Sequence, residues 1–154
     1  MRFDKKIANI LILHKKTLSI AESCTGGLLT HRLTNISGSS KFLAATIVSY
    51  SDRAKIKLLK VPSSLILKHG AVSKAVVKHM AQGIRRLLST DLAIAITGIA
   101  GPTGGTPTKP VGLVFIAVCN RQKTIVQKNI FKGSRLQIKN QAAIRALKLL
   151  ERLL

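Results

Sequence analysis

The sequence predicts a single α/β domain of three layers, in which helices cover both faces of a mixed β-sheet. Strand-like and helix-like segments alternate along the chain. Residues 111–119 are almost all apolar, which is typical of a central strand covered on both faces. The next strand-like segment, 123–131, follows too closely for a parallel crossover, so the sheet must contain an antiparallel pair. A length of 154 residues suits one domain, which we place at 1–154.

The first half of the chain gives five elements from local patterns alone. We expect a helix over 3–16, a strand over 17–21, a helix over 26–34, a turn over 37–40 and a strand over 42–50. Asp52 is expected to cap a helix that runs toward Leu59. Pro62 suits the first turn of a further short helix, and Gly70 suits its end.

The second half continues the alternation. Ser73 is expected to cap a helix whose apolar residues recur at helical spacing up to Leu88. Three strands are expected over 91–97, 111–119 and 123–131, the last two joined by a hairpin around 120–122. A final helix over 134–154 would carry its apolar side chains along one side, at Leu136, Ala143, Leu147, Leu150 and Leu154.

The charge of the chain is strongly basic, at +21, with 26 Lys and Arg against 5 Asp and Glu. Such a charge favours an anionic partner such as nucleic acid, acidic lipid or a phosphorylated metabolite. The alternative is a generally basic surface, because the charges are scattered and no block of five like charges occurs. With no Trp, one Tyr and four Phe, the chain has few rings on which bases could stack. Nucleic acid is therefore the weaker expectation.

The composition also argues against a metalloprotein, a disulfide-stabilised protein and a membrane-spanning protein. Cys24 and Cys119 are too few for a disulfide framework, and the four histidines are scattered without metal-binding spacing. The longest apolar stretches fall short of the roughly 18 residues that a membrane span needs. No convincing signal peptide is present. We expect a cytoplasmic protein without metal or organic cofactor.

Two polar, glycine-rich segments follow strand-like runs. Residues 21–27, Ala-Glu-Ser-Cys-Thr-Gly-Gly, follow the apolar run 18–21, and residues 97–106 follow 92–96. Strands that end in small, flexible, polar residues are where open α/β sheets build ligand sites. Glycine also lets the backbone approach a ligand closely. These two loops are the strongest indication of function.

Ser23 is the candidate nucleophile, since it lies where a strand turns into a helix. Free N–H groups from Thr25 to Gly27 could hold an anion or the oxyanion formed when a hydroxyl attacks a carbonyl. The alternative is that Ser23 or Thr25 only caps the helix. Cys24 and Thr25 are rival nucleophiles, although Cys24 would need a lowered pKa and a histidine partner.

The base that would activate Ser23 is harder to find. A Ser-His-Asp arrangement cannot be assembled from the few acids, and Asp52 is better used as a cap. Tyr50 and Lys55 remain as proton acceptors, and a lysine base must be neutral, which requires burial or like charge. Glu22 could orient a neighbour or the substrate.

The second loop lacks the usual phosphate-binding motifs. It remains a candidate substrate loop, with hydroxyls at Thr97, Thr103 and Thr106 and a cation at Lys109. The alternative is a long surface connection.

Six blocks together resemble the CinA C-terminal domain family, also called nicotinamide-nucleotide amidase. They are AESCTGG at 21–27, GSS at 38–40, YSDRAK at 50–55, HGAVS at 69–73, TGIAGPTGG at 97–105 and KPVG at 109–112. The resemblance implies a three-layer α/β/α fold and hydrolysis of the carboxamide of nicotinamide mononucleotide. It also implies a stand-alone form that self-associates as a dimer or larger homo-oligomer.

The resemblance also assigns residues. Ser23 resembles the family's nucleophile, and Tyr50 and Lys55 resemble its activating pair. Substrate binding is expected from the two loops and the last helix, at Glu22, Thr25, Gly26, Gly27, Thr97, Gly98, Gly101 and Arg135.

Three positions depart from the family's pattern. Ser134 stands where the family usually has Asp, Lys139 stands where it has a further Arg, and Asp52 stands where it often has Asn. The first two lie near Arg135, where the resemblance places substrate binding and where we expect an anionic group to bind. They therefore bear on the affinity for the substrate. Because of these departures, the chain could be a relative that keeps the fold without the activity. The presence of Ser23, Tyr50 and Lys55 argues against this alternative.

Overall fold

The computed structural model describes residues 2–154, with Arg2 described by its backbone alone. Met1, where the predicted domain begins, lies outside the described residues. Over the described range the chain forms six α-helices: α1 (Arg2–Leu13), α2 (Leu28–Thr34), α3 (Asp52–Leu59), α4 (Ser63–His69), α5 (Lys74–Leu88) and α6 (Arg135–Leu150). The same residues form five strands: β1 (Leu18–Glu22), β2 (Leu43–Val48), β3 (Leu92–Gly98), β4 (Leu113–Cys119) and β5 (Thr124–Ile130).

The five strands make one mixed sheet in the order β2-β1-β3-β4-β5. Strand β1 runs parallel to β2 and β3, whereas β4 runs antiparallel to β3 and β5. The predicted mixed sheet and its β4–β5 hairpin are confirmed. Because β1, β2 and β3 are parallel, their carboxyl ends meet at one edge, and the segments after Glu22, Val48 and Gly98 converge there.

A separate hydrophobic core lies on each face of the sheet, which confirms the three-layer prediction. One core joins the sheet to α1, α2 and α6, with Leu11, Leu29 and Leu147 fully buried. The other joins it to α3, α4 and α5, with Leu59 and Met80 fully buried. Strand β3 is buried from Leu92 through Thr97 because helices cover both of its faces.

The cap predicted for α3 is wrong by one residue. Ser51, in extended conformation, accepts a hydrogen bond from the Ala54 N–H at 3.1 Å, and Asp52 is the first helical residue. Either side chain can cap a helix, and the backbone conformation selects Ser51. The cap predicted for α5 is confirmed, because the Ser73 hydroxyl accepts from the Val76 N–H at 3.3 Å.

The last helix is shorter than predicted, and part of its predicted apolar side is exposed. Helix α6 ends at Leu150 and continues as a 3-10 turn, and Leu136 in its first turn is 62% exposed. The buried face is instead formed by Ile138, Ala142, Ala143, Ala146, Leu147, Leu149 and Leu150. No helix within residues 2–154 is long and apolar enough to cross a bilayer.

Candidate active site

A cavity of about 260 Å³ opens at the edge of the sheet where β1, β2 and β3 end. Its walls come from the turn after β1, the start of α3, the segment before α5, the loop after β3 and the start of α6. The residues that line it are Ser23, Cys24, Tyr50, Asp52, Lys55, Ala71, Val72, Thr97, Gly98, Ile99, Ala100, Gly101, Thr103, Gly104 and Arg135.

Ser23 and Lys55 meet in this cavity. Ser23 follows the last residue of β1, and Lys55 lies in the first turn of α3, which begins soon after the neighbouring strand β2. The Lys55 ammonium nitrogen Nζ lies 3.1 Å from Ser23 Oγ. Lys55 is only 1% exposed and Ser23 is 8% exposed, so the pair is largely shielded from water.

The surroundings of Lys55 favour its neutral form. Burial lowers the pKa of Lys55 from its usual value, and the nearby negative charge of Asp52 opposes the shift. Nζ also faces the Ser49 carbonyl at 2.8 Å and the Tyr50 carbonyl at 3.5 Å, and both can only accept. A neutral amine would direct its two N–H groups at these carbonyls and its lone pair at the Ser23 hydroxyl. This arrangement suits proton transfer from Ser23 to Lys55.

Tyr50 lines the same cavity, but its hydroxyl bonds elsewhere. The side chain is 61% exposed, and its hydroxyl accepts a hydrogen bond from Arg135 Nη2 at 3.1 Å. The structure therefore brings Ser23 and Lys55 together and places the Tyr50 hydroxyl beside Arg135. The predicted role of Tyr50 as a proton acceptor stays a prediction.

Neither rival nucleophile fits the geometry. Burial raises the pKa of the Cys24 thiol to about 11, against the lowered pKa that a reactive cysteine needs. Thr25 is fully buried and is not among the residues that line the cavity. The capping alternative is also wrong, because the N-cap of α2 is Gly27 and neither the Ser23 nor the Thr25 hydroxyl accepts a hydrogen bond from the first turn of that helix.

Glu22 supports the turn that carries Ser23. One oxygen of its buried carboxylate accepts from the N–H groups of Gly27 at 3.0 Å and Leu29 at 3.2 Å. The other accepts from the Thr30 N–H at 2.9 Å and the Thr30 hydroxyl at 2.7 Å. The start of α2 thus holds an anion, as expected of a helix N-terminus, but that anion belongs to the protein. Glu22 orients a neighbouring segment and does not line the cavity.

The expected oxyanion donors change accordingly. The Gly27 N–H is taken by Glu22, and the Gly26 N–H donates to the Ser23 carbonyl at 3.0 Å. The prediction that these two groups are free is therefore wrong. The Thr25 N–H has no hydrogen-bond acceptor among the described residues, but Thr25 is fully buried and does not line the cavity, so the structure as it stands presents none of the three predicted N–H groups to a substrate.

The loop after β3 forms the opposite wall. Thr97 is buried and its hydroxyl donates to the Ala71 carbonyl at 3.0 Å, which ties β3 to the segment before α5. Gly98 and Gly101 line the cavity as predicted. A side chain at Gly98 would meet Val114 at 2.7 Å, so only glycine fits there. Ala71 lines the cavity, although we assigned it no role from the sequence. Its position in the HGAVS block was the feature of the sequence that could have indicated this.

Other polar groups of that loop serve its own structure. Thr103 lines the cavity, but the Thr106 hydroxyl accepts from the Lys109 N–H at 3.0 Å. The Lys109 ammonium donates to the His69 carbonyl at the end of α4. These bonds anchor the far end of the loop away from the cavity.

Arg135 lines the cavity from the start of α6, and Lys139 lies one turn further along the same helix. Arg135 Nη1 donates to the Gly101 carbonyl at 2.7 Å and thereby links α6 to the loop after β3. Lys139 Nζ lies 3.7 Å from the position that a Cβ would take at Gly26. The departure from arginine at position 139 therefore keeps a positive charge over the turn that carries Ser23. Among residues 2–154, no group of three or more His, Cys, Asp or Glu could hold a metal ion.

Fold and site together define a three-layer α/β/α protein with a serine–lysine pair in a cavity at the carboxyl ends of its parallel strands. The family model for the CinA C-terminal domain matches residues 2–154. The chain belongs to the CinA C-terminal domain family.

Individual relatives agree with this assignment. A "CinA-like protein" of Syntrophus aciditrophicus is 51% identical over 149 residues, which cover 96% of this chain and 36% of that protein. The chain thus spans little more than a third of the curated relatives that it matches. The crystal structure of the competence/damage inducible protein CihA from Agrobacterium tumefaciens matches with a TM-score of 0.97 and 34% identity, covering 99% of this chain and 93% of that one. The competence damage-inducible protein A from Klebsiella pneumoniae matches with a TM-score of 0.95 and 36% identity, covering 99% and 95%.

Proposed function

We propose that the chain hydrolyses the carboxamide of nicotinamide mononucleotide to nicotinic acid mononucleotide and ammonia, with Ser23 as nucleophile. The observation that carries the proposal is the 3.1 Å contact between Ser23 Oγ and the buried amine of Lys55, whose pKa is lowered by burial. Membership of the family that the sequence resembles supports the choice of substrate.

In the first half of the reaction, Ser23 Oγ attacks the carboxamide carbon while neutral Lys55 takes its proton. The carbonyl oxygen becomes an oxyanion, which an N–H group of the turn after Ser23 would have to turn toward in order to stabilise it. The protonated Lys55 then gives its proton to the leaving nitrogen, the C–N bond breaks, and ammonia departs. An ester of Ser23 remains, and Lys55 is neutral again.

In the second half, Lys55 removes a proton from a water molecule that attacks the ester. Collapse of the second tetrahedral intermediate breaks the bond to Ser23 Oγ, which recovers a proton from Lys55. The products are the carboxylic acid and the free enzyme. The Tyr50 hydroxyl contacts Arg135, whereas Lys55 Nζ contacts Ser23 Oγ, so Lys55 is the first choice as base.

The cation that Arg135 contributes to the cavity wall suits the phosphate of the substrate. Arg135 is exposed and presents a planar, always charged group of the kind that binds phosphate with two hydrogen bonds. The cavity volume of about 260 Å³ lies near the lower end for small-molecule sites. It is suited to the reacting end of a nucleotide, with the phosphate at the rim near Arg135.

The direct test is ammonia release from nicotinamide mononucleotide by the purified protein. We expect Ser23→Ala and Lys55→Met each to lower kcat by about a thousandfold or more, as removal of a nucleophile or its base does elsewhere. Cys24→Ala is the matched control, because it alters the neighbouring cavity residue and should keep most of the activity. Absence of release by the unmodified chain, or full activity of Ser23→Ala, would refute the proposal.

We also propose that the chain self-associates, as the resemblance implies. Strand β2 is an edge of the sheet, and β2, α3 and the connection between them expose Val48, Tyr50 and Leu58. Such exposed apolar side chains are common at interfaces between subunits. Light scattering should give a mass of two or more chains, and a single-chain mass at micromolar concentration would contradict this.

A further inference from the structure

A second cleft, of about 660 Å³, lies at the opposite end of the sheet from Ser23. It opens where β3 begins and β4 ends, so the length of β3 separates the two cavities. Seven residues of strand span about 20 Å. The cleft is lined by His14, Lys16, Arg85, Arg86, Ser89, Thr90, Asp91, Leu92, Asn120, Arg121, Gln122, Leu153 and Leu154.

Cationic side chains enter this cleft from three separate segments. Lys16 follows α1, Arg85 and Arg86 end α5, and Arg121 lies in the β4–β5 hairpin. Arg86 and Arg121 are exposed, and within residues 2–154 neither forms an ion pair. Convergence of three segments on one concavity distinguishes this cluster from charges spread over a single helix face.

Asp91 is the one acidic side chain among the residues that line the cleft, and it forms no ion pair with these arginines. Asp91 accepts two hydrogen bonds from Thr17, at 2.8 Å from its N–H and 2.8 Å from its hydroxyl. Those bonds lower the pKa of Asp91 and fasten the start of β3 to the start of β1. Arg85 is partly committed, since Nη1 donates to the Thr90 carbonyl at 3.2 Å. The side chains of Arg86 and Arg121 remain available to an anion.

The shape of the cleft favours a small ligand. Its volume lies within the range of about 300–1,000 Å³ that is usual for small-molecule sites. Leu92, Leu153 and Leu154 provide an apolar wall beside the cations. No Phe, Tyr or Trp lines the cleft, so it lacks the stacking platform of proteins that bind single strands.

We propose that this cleft binds a nucleoside di- or triphosphate through its polyphosphate chain. Several cations in one concavity match several charges on one small molecule, and arginine pairs with phosphate through two parallel hydrogen bonds. Because the polyphosphate chain makes the main contacts and no Phe, Tyr or Trp lines the cleft, binding should tolerate different bases. The proposal does not depend on the amidase activity.

Calorimetric titration of the full chain with ATP, GTP, inorganic tripolyphosphate and adenosine tests the proposal. We expect ATP and GTP to bind within about threefold of each other, since the phosphates that the two share make the main contacts. Tripolyphosphate should bind and adenosine should not. Binding should weaken as salt rises, because exposed charges are screened.

A pair of double variants locates the site. Arg86→Ala with Arg121→Ala should weaken ATP binding at least about tenfold, because each charge-assisted bond contributes measurably. Lys57→Ala with Lys78→Ala removes the same charge from exposed helix positions outside the cleft and should change binding less than twofold. Thermal melting of both double variants checks that each remains folded.

Three results would overturn the proposal. One is equal weakening by the two double variants, which would indicate attraction to the overall charge. Another is binding of adenosine as tight as that of ATP. The third is short duplex DNA that displaces ATP and binds more tightly through Arg86 and Arg121, which would indicate a nucleic-acid surface instead. ATP binding that is unchanged in Ser23→Ala would support a site separate from the catalytic cavity.

Discussion

The turn after β1 and the loop after β3 border the same cavity but are held in different ways. In the turn at 22–27, Glu22 is fully buried and binds the start of α2 through four hydrogen bonds. In the loop at 98–110, every residue from 102 to 108 is exposed. That loop is fastened near its ends, by Arg135 at the Gly101 carbonyl and by Lys109 at the His69 carbonyl.

The difference reflects what each region has to keep fixed. Proton transfer requires Ser23 Oγ and Lys55 Nζ to stay within hydrogen-bonding distance, and buried partners hold such pairs best. The loop at 98–110 contributes mostly backbone and small side chains, which determine the shape of the cavity wall. A segment with few buried contacts can adjust locally at small free-energy cost. We therefore expect changes in the turn to affect stability and chemistry, and changes in the loop to affect substrate affinity.

The largest expected effect on stability comes from Glu22→Gln. Each carboxylate oxygen accepts two hydrogen bonds, whereas the amide has one oxygen and its NH₂ group would face two donors. With the NH₂ group toward Thr30, the Thr30 hydroxyl can donate to Thr46, and the Thr30 N–H is left unpaired. Together with the loss of the charge, this should lower the free energy of unfolding by about 3 kcal/mol. Urea unfolding followed by circular dichroism measures this value.

Glu151→Gln is the matched control for that change. Glu151 pairs with Lys6 at 2.6 Å, but both side chains are substantially exposed. Its replacement should lower the free energy of unfolding by less than about 1 kcal/mol. Equal losses in the two variants would show that the buried carboxylate has no special role in holding the turn.

The sequence predicted the fold well and the site in part. The alternation of strands and helices and the apolar 111–119 segment were sufficient for the three layers and the mixed sheet. The role of Glu22 was not predictable in detail, because its partners at Gly27, Leu29 and Thr30 depend on how α2 packs against β1. Spacing alone could not pair Ser23 with Lys55 either, since 32 residues separate them and only the fold brings them together.

The next largest effect is expected from Gly101→Ala in the loop. Gly101 has φ +72° and a Cβ there would collide with Val111. Left-handed strain and the collision together should lower the free energy of unfolding by about 2 kcal/mol. Because the Gly101 carbonyl holds Arg135, the KM for nicotinamide mononucleotide should rise while the pH profile stays the same.

Gly104→Ala separates the effect of left-handed backbone strain from that of the collision with Val111. Gly104 also has positive φ, at +88°, but the nearest atom to its Cβ would be Ile99 Cγ2 at 3.7 Å, an ordinary contact. Gly104→Ala should lower the free energy of unfolding by about 1 kcal/mol, from backbone strain alone. If Gly104→Ala raised KM as much as Gly101→Ala, loop strain and not the position of Arg135 would control affinity.

The smallest effect is expected from Asp52→Asn. This substitution should change the pH dependence of catalysis without changing the shape of the cavity. Burial lowers the pKa of Lys55, and the charge of Asp52 partly offsets that shift. Removing the charge lowers the pKa further, so Lys55 is neutral at lower pH. The rise of kcat/KM with pH, which follows loss of the Lys55 proton, should therefore move toward lower pH without a change in its plateau. Because Asp52 is exposed, high salt should diminish the displacement. A profile that moved toward higher pH would mean that a group other than Lys55 takes the proton from Ser23.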